Sequence, residues 1–163
     1  MPKPLEKERT FKVLPFTPDL IPSHSVAIEI EQTYLEDNGM IKRRVRKRFI
    51  DGGASYYYTK KNEMLTPGII EEVERLITLG EYEAYMHVRD FKSQTIRKTR
   101  HCFEYAGKHF ELDIYRSDGE YGFLEIEVED MQSAVCFPSD FKIEEISREA
   151  DYNNREIARN DLD

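Results

Sequence analysis

Charged and apolar residues alternate one by one through much of this chain, and only extended backbone sorts such a pattern onto two faces. In Gly122-Phe123-Leu124-Glu125-Ile126-Glu127-Val128-Glu129, three glutamates fall on one face and Leu124, Ile126 and Val128 on the other. Val26, Ile28 and Ile30 oppose Glu29 and Glu31 in the same way. This period predicts strands over Val26–Glu36, Met40–Ile50, Ala54–Lys61, Gln94–Tyr105, Lys108–Arg116 and Gly122–Glu129. The turn sequences Asp37-Asn38-Gly39, Asp51-Gly52-Gly53, Ala106-Gly107 and Ser117-Asp118-Gly119-Glu120 separate them. Leu14 to Pro22, with three prolines, reads as a connector. After Thr66-Pro67, the residues Ile69, Ile70, Val73, Leu76 and Ile77 recur at helical spacing, which predicts an amphipathic helix over Pro67–Leu79. The polar tail Ser139–Asp163 reads as one or two short helices packed outside. Successive strands joined by tight turns predict an α+β, predominantly antiparallel β domain over residues 1–163, its meander curling or closing to remove exposed edges.

Charge narrows the class further. A net charge of −8 argues against a nucleic-acid binder, which needs an excess of Lys and Arg to neutralise phosphates. No apolar run approaches the roughly 20 residues that span a bilayer, and residues 1–12 lack the apolar stretch of a signal peptide, so the expectation is a soluble, cytoplasmic protein with no membrane partner. Cys102 and Cys136 have no Cys-x-x-Cys spacing and are read as reduced and structural. The four histidines share no metal-type spacing.

The two signs are segregated in rows. Glu6 and Glu8 form one acidic row, Glu125, Glu127 and Glu129 another, with Glu111 and Asp113 between them in sequence. Against these stand Arg44, Arg46 and Arg48, then Lys61, then Lys98 and Arg100. Taken singly, each row is the solvated face of a half-buried sheet, and Arg44, Arg46 and Arg48 could pair with Glu29 and Glu31 on the next strand. Rows of both signs on at least five strands point instead to a shared interior. There, clustered carboxylates without thiol or imidazole suit Mg²⁺ or Mn²⁺, and arginine forks suit phosphate. A polyphosphate bridged to carboxylates by a divalent ion satisfies both sets at once.

Several short motifs, in order along the chain, resemble the CYTH family, also called triphosphate tunnel metalloenzymes. They are Leu5-Glu6-Lys7-Glu8-Arg9, Ile30-Glu31-Gln32-Thr33-Tyr34-Leu35, Arg44-Val45-Arg46, Tyr58-Thr59-Lys60-Lys61, Lys98-Thr99-Arg100, Phe110-Glu111-Leu112-Asp113, the Glu125 to Glu129 run, and Asp151-Tyr152-Asn153-Asn154. The resemblance implies a closed eight-stranded antiparallel barrel, or tunnel, with helices packed outside. It implies metal ligands among Glu6, Glu8, Asp113, Glu125, Glu127 and Glu129, with Glu127 common to both alignments of the late pair. It implies that Arg44, Arg46, Lys61, Lys98 and Arg100 grip a triphosphate, and that Glu6, Glu8 and Lys61 act in catalysis. Two departures stand out: Thr10 replaces the lysine of the family's Glu-x-Glu-x-Lys opening, leaving Lys12 on the same face as its substitute, and the carboxylate-bearing strand after Lys61 is reduced to Glu63.

The expected activity is metal-dependent hydrolysis of an inorganic or organic triphosphate: tripolyphosphate, thiamine triphosphate or ATP. The alternatives are cyclisation of ATP to cyclic AMP, as in class IV adenylyl cyclases, and polyphosphate or nucleotide binding with weak catalysis. The expected assembly is a monomer or homodimer.

Overall fold

The computed structural model describes residues 5–36, 41–63, 69–115 and 118–146. The strands are β1 (Leu5–Val13), β2 (Val26–Tyr34), β3 (Ile41–Ile50), β4 (Gly53–Glu63), β5 (Ile69–Ile77), β6 (Ile96–Tyr105), β7 (Lys108–Tyr115), β8 (Asp118–Glu127) and β9 (Ile143–Ile146), with one α-helix, α1 (Leu79–Met86). All pair antiparallel in the order β5-β4-β3-β2-β6-β7-β8-β1-β9. β1 makes a further pairing with β5, from Leu5↔Glu71 to Lys7↔Ile69. The β3–β4 and β6–β7 turns take the left-handed backbone that tight hairpins require. Asp51 and Gly52 have φ of 50° and 80°, and Ala106 and Gly107 have 49° and 77°. The connector after β1 contains only a short 3-10 turn, Pro18–Leu20.

Two expectations are corrected. Residues 69–77 form a strand, not a helix: β5 pairs with β4 from Tyr56↔Ile77 to Glu63↔Ile70. Its β-branched isoleucines and valine suit a pleated surface, and Ile77 alone of the described apolar residues on β5 is buried. The helix starts later, where Thr78 and Glu81 form a capping box: the Thr78 hydroxyl accepts from the Glu81 backbone N–H at 3.1 Å, and Glu81 Oε1 accepts from the Thr78 N–H at 3.1 Å. Within the tail read as helical, Ile143–Ile146 is β9, which pairs with β1 from Thr10↔Ile146 to Val13↔Ile143 and makes the described sheet nine-stranded rather than eight-stranded. The Asp37-Asn38-Gly39 turn, Thr66-Pro67, the remainder of the tail and its Tyr-x-Asn motif lie outside the described residues.

Two apolar layers cover the outer face. Phe11, Val13, Phe103, Phe110, Leu112, Leu124, Ile126 and Val128 pack under Met131, Val135, Phe137, Phe141 and Ile143. This layer, expected to lie beneath helices, is therefore covered by an extended segment and β9. Arg9 clasps that cover, with Nε and Nη2 on Glu145 at 2.7 and 3.0 Å and Nη1 on the Ser133 carbonyl at 2.6 Å. The second layer joins Leu35, Val45, Ile77, Tyr56 and Tyr58 to Tyr82, Tyr85 and Met86 of α1.

Gly122 faces the first layer, where an added Cβ would stand 2.8 Å from Ile114 Cδ1 and 2.9 Å from Leu112 Cδ1. Gly122→Val is therefore expected to cost about 1–3 kcal/mol by overpacking. Urea titration checks this, and an unchanged midpoint would show that the two side chains move aside freely.

Candidate functional site

The face opposite these layers carries the charges. Residues two apart on a strand share a face, so β3 presents Arg44, Arg46 and Arg48 there, β4 Thr59 and Lys61, β5 Glu72 and Glu74, and β6 Lys98 and Arg100. β7 adds Glu111 and Asp113, β8 Glu125, and β1 Glu8, Thr10 and Lys12. Contacts spanning non-neighbouring strands show that this is one shared space. Arg44 Nη2 on β3 lies 3.9 Å from Glu72 on β5. The charges of Arg100 and Asp113 reach Arg46 from β6 and β7, and Glu8 reaches Glu125. The arginine row does not form a solvated ladder with Glu29 and Glu31. Those two accept from Thr99 and Arg97 on the other face, while Arg44 and Arg46 are buried at 7% and 5% exposure.

The cations fall into two groups. Lys98 and Arg100 converge on Asp113: Lys98 Nζ lies 2.7 Å from Oδ2, Arg100 Nε 2.8 Å from Oδ1, and Arg100 Nη2 2.9 Å from Oδ2. Arg100 Nη1 also pairs with Glu111. Burial alone would raise the Asp113 carboxyl, but Arg100 and Lys98 outweigh it and hold the group well below the usual carboxylate range. Arg100 is raised in turn, its burial penalty outweighed by Asp113. Burial depresses Lys98, helped by Arg100 and Arg46.

The second group has more cations than close counter-charges, Arg44 alone having a carboxylate, Glu72, at 3.9 Å. The buried Nε atoms of Arg44, Arg46 and Arg48 have no hydrogen-bond partner. Arg46 Nη2 donates to the neutral Gln32 Oε1 at 2.9 Å. Burial, then the charges of Arg44 and Arg100, push Arg46 down to about 9. A guanidinium stays charged at neutral pH even so, and a nearby anion would offset its burial and the repulsion from Arg44 and Arg100.

Across from the arginines, the carboxylates of Glu8 and Glu125 repel one another. Burial and then the Glu8 charge push Glu125 above the ordinary glutamate range. Glu127 is opposite Glu8 in register but exposed. Glu6 is on β1 opposite Ile70, and its side chain is outside the described residues. Glu129 follows the end of β8, exposed, and its carbonyl accepts from Lys7 Nζ. Asp113 is bound to cations rather than gathered with the glutamates. Among the described residues, no three acidic, histidine or cysteine side chains converge closely enough to hold a metal ion by themselves.

The carboxylate strand thought to be nearly missing after Lys61 is β5. Glu72 lies 3.8 Å from Lys61 Nζ, and Glu74 accepts from the Thr59 hydroxyl at 3.1 Å. A helical reading of residues 67–79 hides both, because helical spacing does not put residues two apart on one face. The Glu72-x-Glu74 spacing, matching the other acidic rows, was the available signal.

The curled antiparallel sheet with opposed ionic rows defines a class, and comparison identifies it: the chain belongs to the CYTH family, whose domain matches residues 5–154. Two structures of NE1496, one titled a hypothetical protein and the other an inorganic triphosphatase, are each 25% identical with TM-score 0.61. They cover 94% of this chain, and 97% and 94% of those chains respectively. PH1012 from Pyrococcus horikoshii shares the fold at 19% identity and TM-score 0.56, over 76% of this chain and 80% of that one. No curated protein matches. No helix among the described residues is long and apolar enough to cross a membrane.

Proposed function

We propose that the protein hydrolyses a triphosphate, inorganic or organic, inside a tunnel that the β1–β5 pairing closes, with Mg²⁺ or Mn²⁺ as cofactor. The observation that carries this reading is the set of three buried arginine Nε donors without hydrogen-bond partners, on the same inner face as Glu8 and Glu125, whose carboxylates repel one another. The residues present fit a divalent ion completed by substrate. Mg²⁺ commonly takes one or two carboxylates together with phosphate oxygens and water, and Glu8 and Glu125 supply that pair, with Glu127 opposite Glu8 in register and Glu6 two residues before it on β1. When bound, such an ion neutralises phosphate charge and lowers the pKa of a coordinated water.

The chain's own residues do the rest. Arg44, Arg46 and Arg48 offer forked donors along a row of roughly 13 Å, taking about 3.3 Å per residue. Gln32 fixes the Arg46 fork, and Asp113 fixes Arg100 and Lys98 at the opposite wall. Glu72 orients Lys61 toward Arg44, placing its ammonium to donate to a phosphate oxygen as charge develops. Lys12 shares the face at the other end of β1. NE1496, an inorganic triphosphatase, supports tripolyphosphate as the first substrate to try.

The test is phosphate release from tripolyphosphate with Mg²⁺ or Mn²⁺. Wild type should turn over, while Glu8→Ala should lose about two to three orders of magnitude in rate. Turnover unaffected by Glu8→Ala, or absent in wild type, would refute the hydrolase. Thr10 favours a second reading, binding without turnover, because the family's opening lysine is missing. Tight calorimetric binding with no phosphate released would establish it.

A pH effect follows from Glu125. Its carboxyl is raised, so a cation must displace its proton across a range above the usual glutamate value, and Mn²⁺ affinity should tighten as pH rises through that range. Titration at several pH values checks this. Glu125→Gln should flatten the dependence, and an equally steep slope in that variant would assign it elsewhere.

A further inference from the structure

Beyond the arginine row the inner face ends in apolar side chains. On β3 the step after Arg48 is Ile50, on β5 the step after Glu74 is Leu76, and on β2 Ile28 is followed toward the same end by Val26. All three share the inner face by parity. Ile50, Leu76 and Val26 are nevertheless 41%, 68% and 55% exposed, whereas Ile28, one step further in, is 6% exposed. A single exposed apolar residue is ordinary, but three at one end of a charged face make a lip.

Between Ile50 and Leu76 the wall is low. β4 lies between β3 and β5, and there it presents Ser55 and Gly53, in register with Arg48 and Ile50. A Cβ at Gly53 would meet only the Ile50 carbonyl oxygen, at 3.6 Å. Tyr57, in register with both Arg46 and Leu76, is the first large side chain inward from this notch. Arg48 stands 5.2 Å over the Tyr57 ring, its buried Nε has no hydrogen-bond partner, and its charge reaches Cys102 on β6. Arg48 is therefore a boundary, with forked donors on one side of it along the row and apolar side chains beside a low wall on the other.

A free polyphosphate is charged along its whole length and gains nothing from such a lip. An ester of it does, because its phosphates can lie on the arginine forks while its organic group adds apolar burial and a ring contact. We propose that the notch between Ile50 and Leu76, with Tyr57 at its base, is a subsite for an aromatic group esterified to the phosphate chain, so that the protein prefers an organic triphosphate to free tripolyphosphate. This rests on the triphosphate-binding reading above and selects within it.

Calorimetry on the wild-type protein with Mg²⁺ compares the bridging-imido analogues of ATP and of methyl triphosphate, which resist hydrolysis. The two esters carry the same triphosphate, and only one carries a ring. The adenosine ester should bind about tenfold tighter, the size of one aromatic contact together with its burial. Leu76→Ser, at an exposed position, should bring the two affinities together, and Leu76→Met should keep them apart. Equal affinities in the wild type, or a preference for the adenosine ester that survives Leu76→Ser, would overturn the subsite, while binding of tripolyphosphate would leave the proposed function standing. Failure of both esters and of tripolyphosphate to bind would overturn both.

Discussion

Arg46→Ala is expected to weaken tripolyphosphate binding by roughly a hundredfold, about 3 kcal/mol, and at the same time to raise the melting temperature of the unliganded protein. Both effects have one origin. Arg46 is buried at 5% exposure, its Nε has no partner, its Nη2 reaches only a neutral amide, and Arg44 and Arg100 crowd it. In the empty protein this uncompensated charge is a liability, and its removal relieves the fold. With a polyanion present, the same desolvated guanidinium donates charge-assisted hydrogen bonds that water cannot weaken. Arg46→Lys should recover only a small part of the affinity, because an ammonium cannot reproduce the planar fork. Calorimetry and thermal melts on the same samples separate the effects. Unchanged affinity would show that phosphate does not reach this part of the row.

Asp113→Ala is expected to have the opposite signature, a loss of about 3–5 kcal/mol and a melting temperature lower by roughly 10 °C. Asp113 is 1% exposed and answers both Lys98 and Arg100, so its removal strands two buried cations. Glu111 retains a hold on Arg100, but Lys98 is left among Arg100 and Arg46. Pairing Asp113→Leu with Lys98→Met should restore part of the loss, since buried ion pairs are commonly replaceable by apolar side chains of similar volume. A double variant no more stable than Asp113→Ala would show that the pair itself is required. The carboxyl is depressed in the folded protein, so its stabilisation is complete above the unfolded aspartate value of about 3.9 and is lost as pH falls through the lower folded value. Melts of Asp113→Asn across the acid range should accordingly lack the steepest part of the wild-type decline.

The strands were legible where one face is charged and the other apolar. β2, β7 and β8 carry that alternation, while β3 and β6 bear charges on both faces and were marked by the turns that join them to their neighbours, Asp51-Gly52 and Ala106-Gly107. The pattern was ambiguous at β5, because Ile69, Ile70, Val73, Leu76 and Ile77 satisfy a helical period as well as forming a strand partly exposed on both faces. Only pairing with β4 and β1 decides between them. The neighbouring signal, Thr78-x-x-Glu81, did mark a helix start, but for α1.

Within the site, the sorting of charges into rows was encoded locally, since a period of two puts Arg44, Arg46 and Arg48 on one face whatever surrounds them. Which charges pair and which stay unanswered was not encoded locally. Asp113 resembled one more metal-side carboxylate until β6 brought Lys98 and Arg100 to it, and Glu72 became the partner of Lys61 only because β5 lies beside β4. One buried apolar cluster is a product of tertiary structure as well. Tyr34, Ile96, Tyr115 and Phe123 are scattered over 90 residues of sequence, and they meet because four antiparallel strands align their ends. Side-chain direction is a property of the local backbone and can be read from the chain. Proximity across strands depends on register and curvature, and it is proximity that gives a charge its partner or leaves it waiting for a ligand.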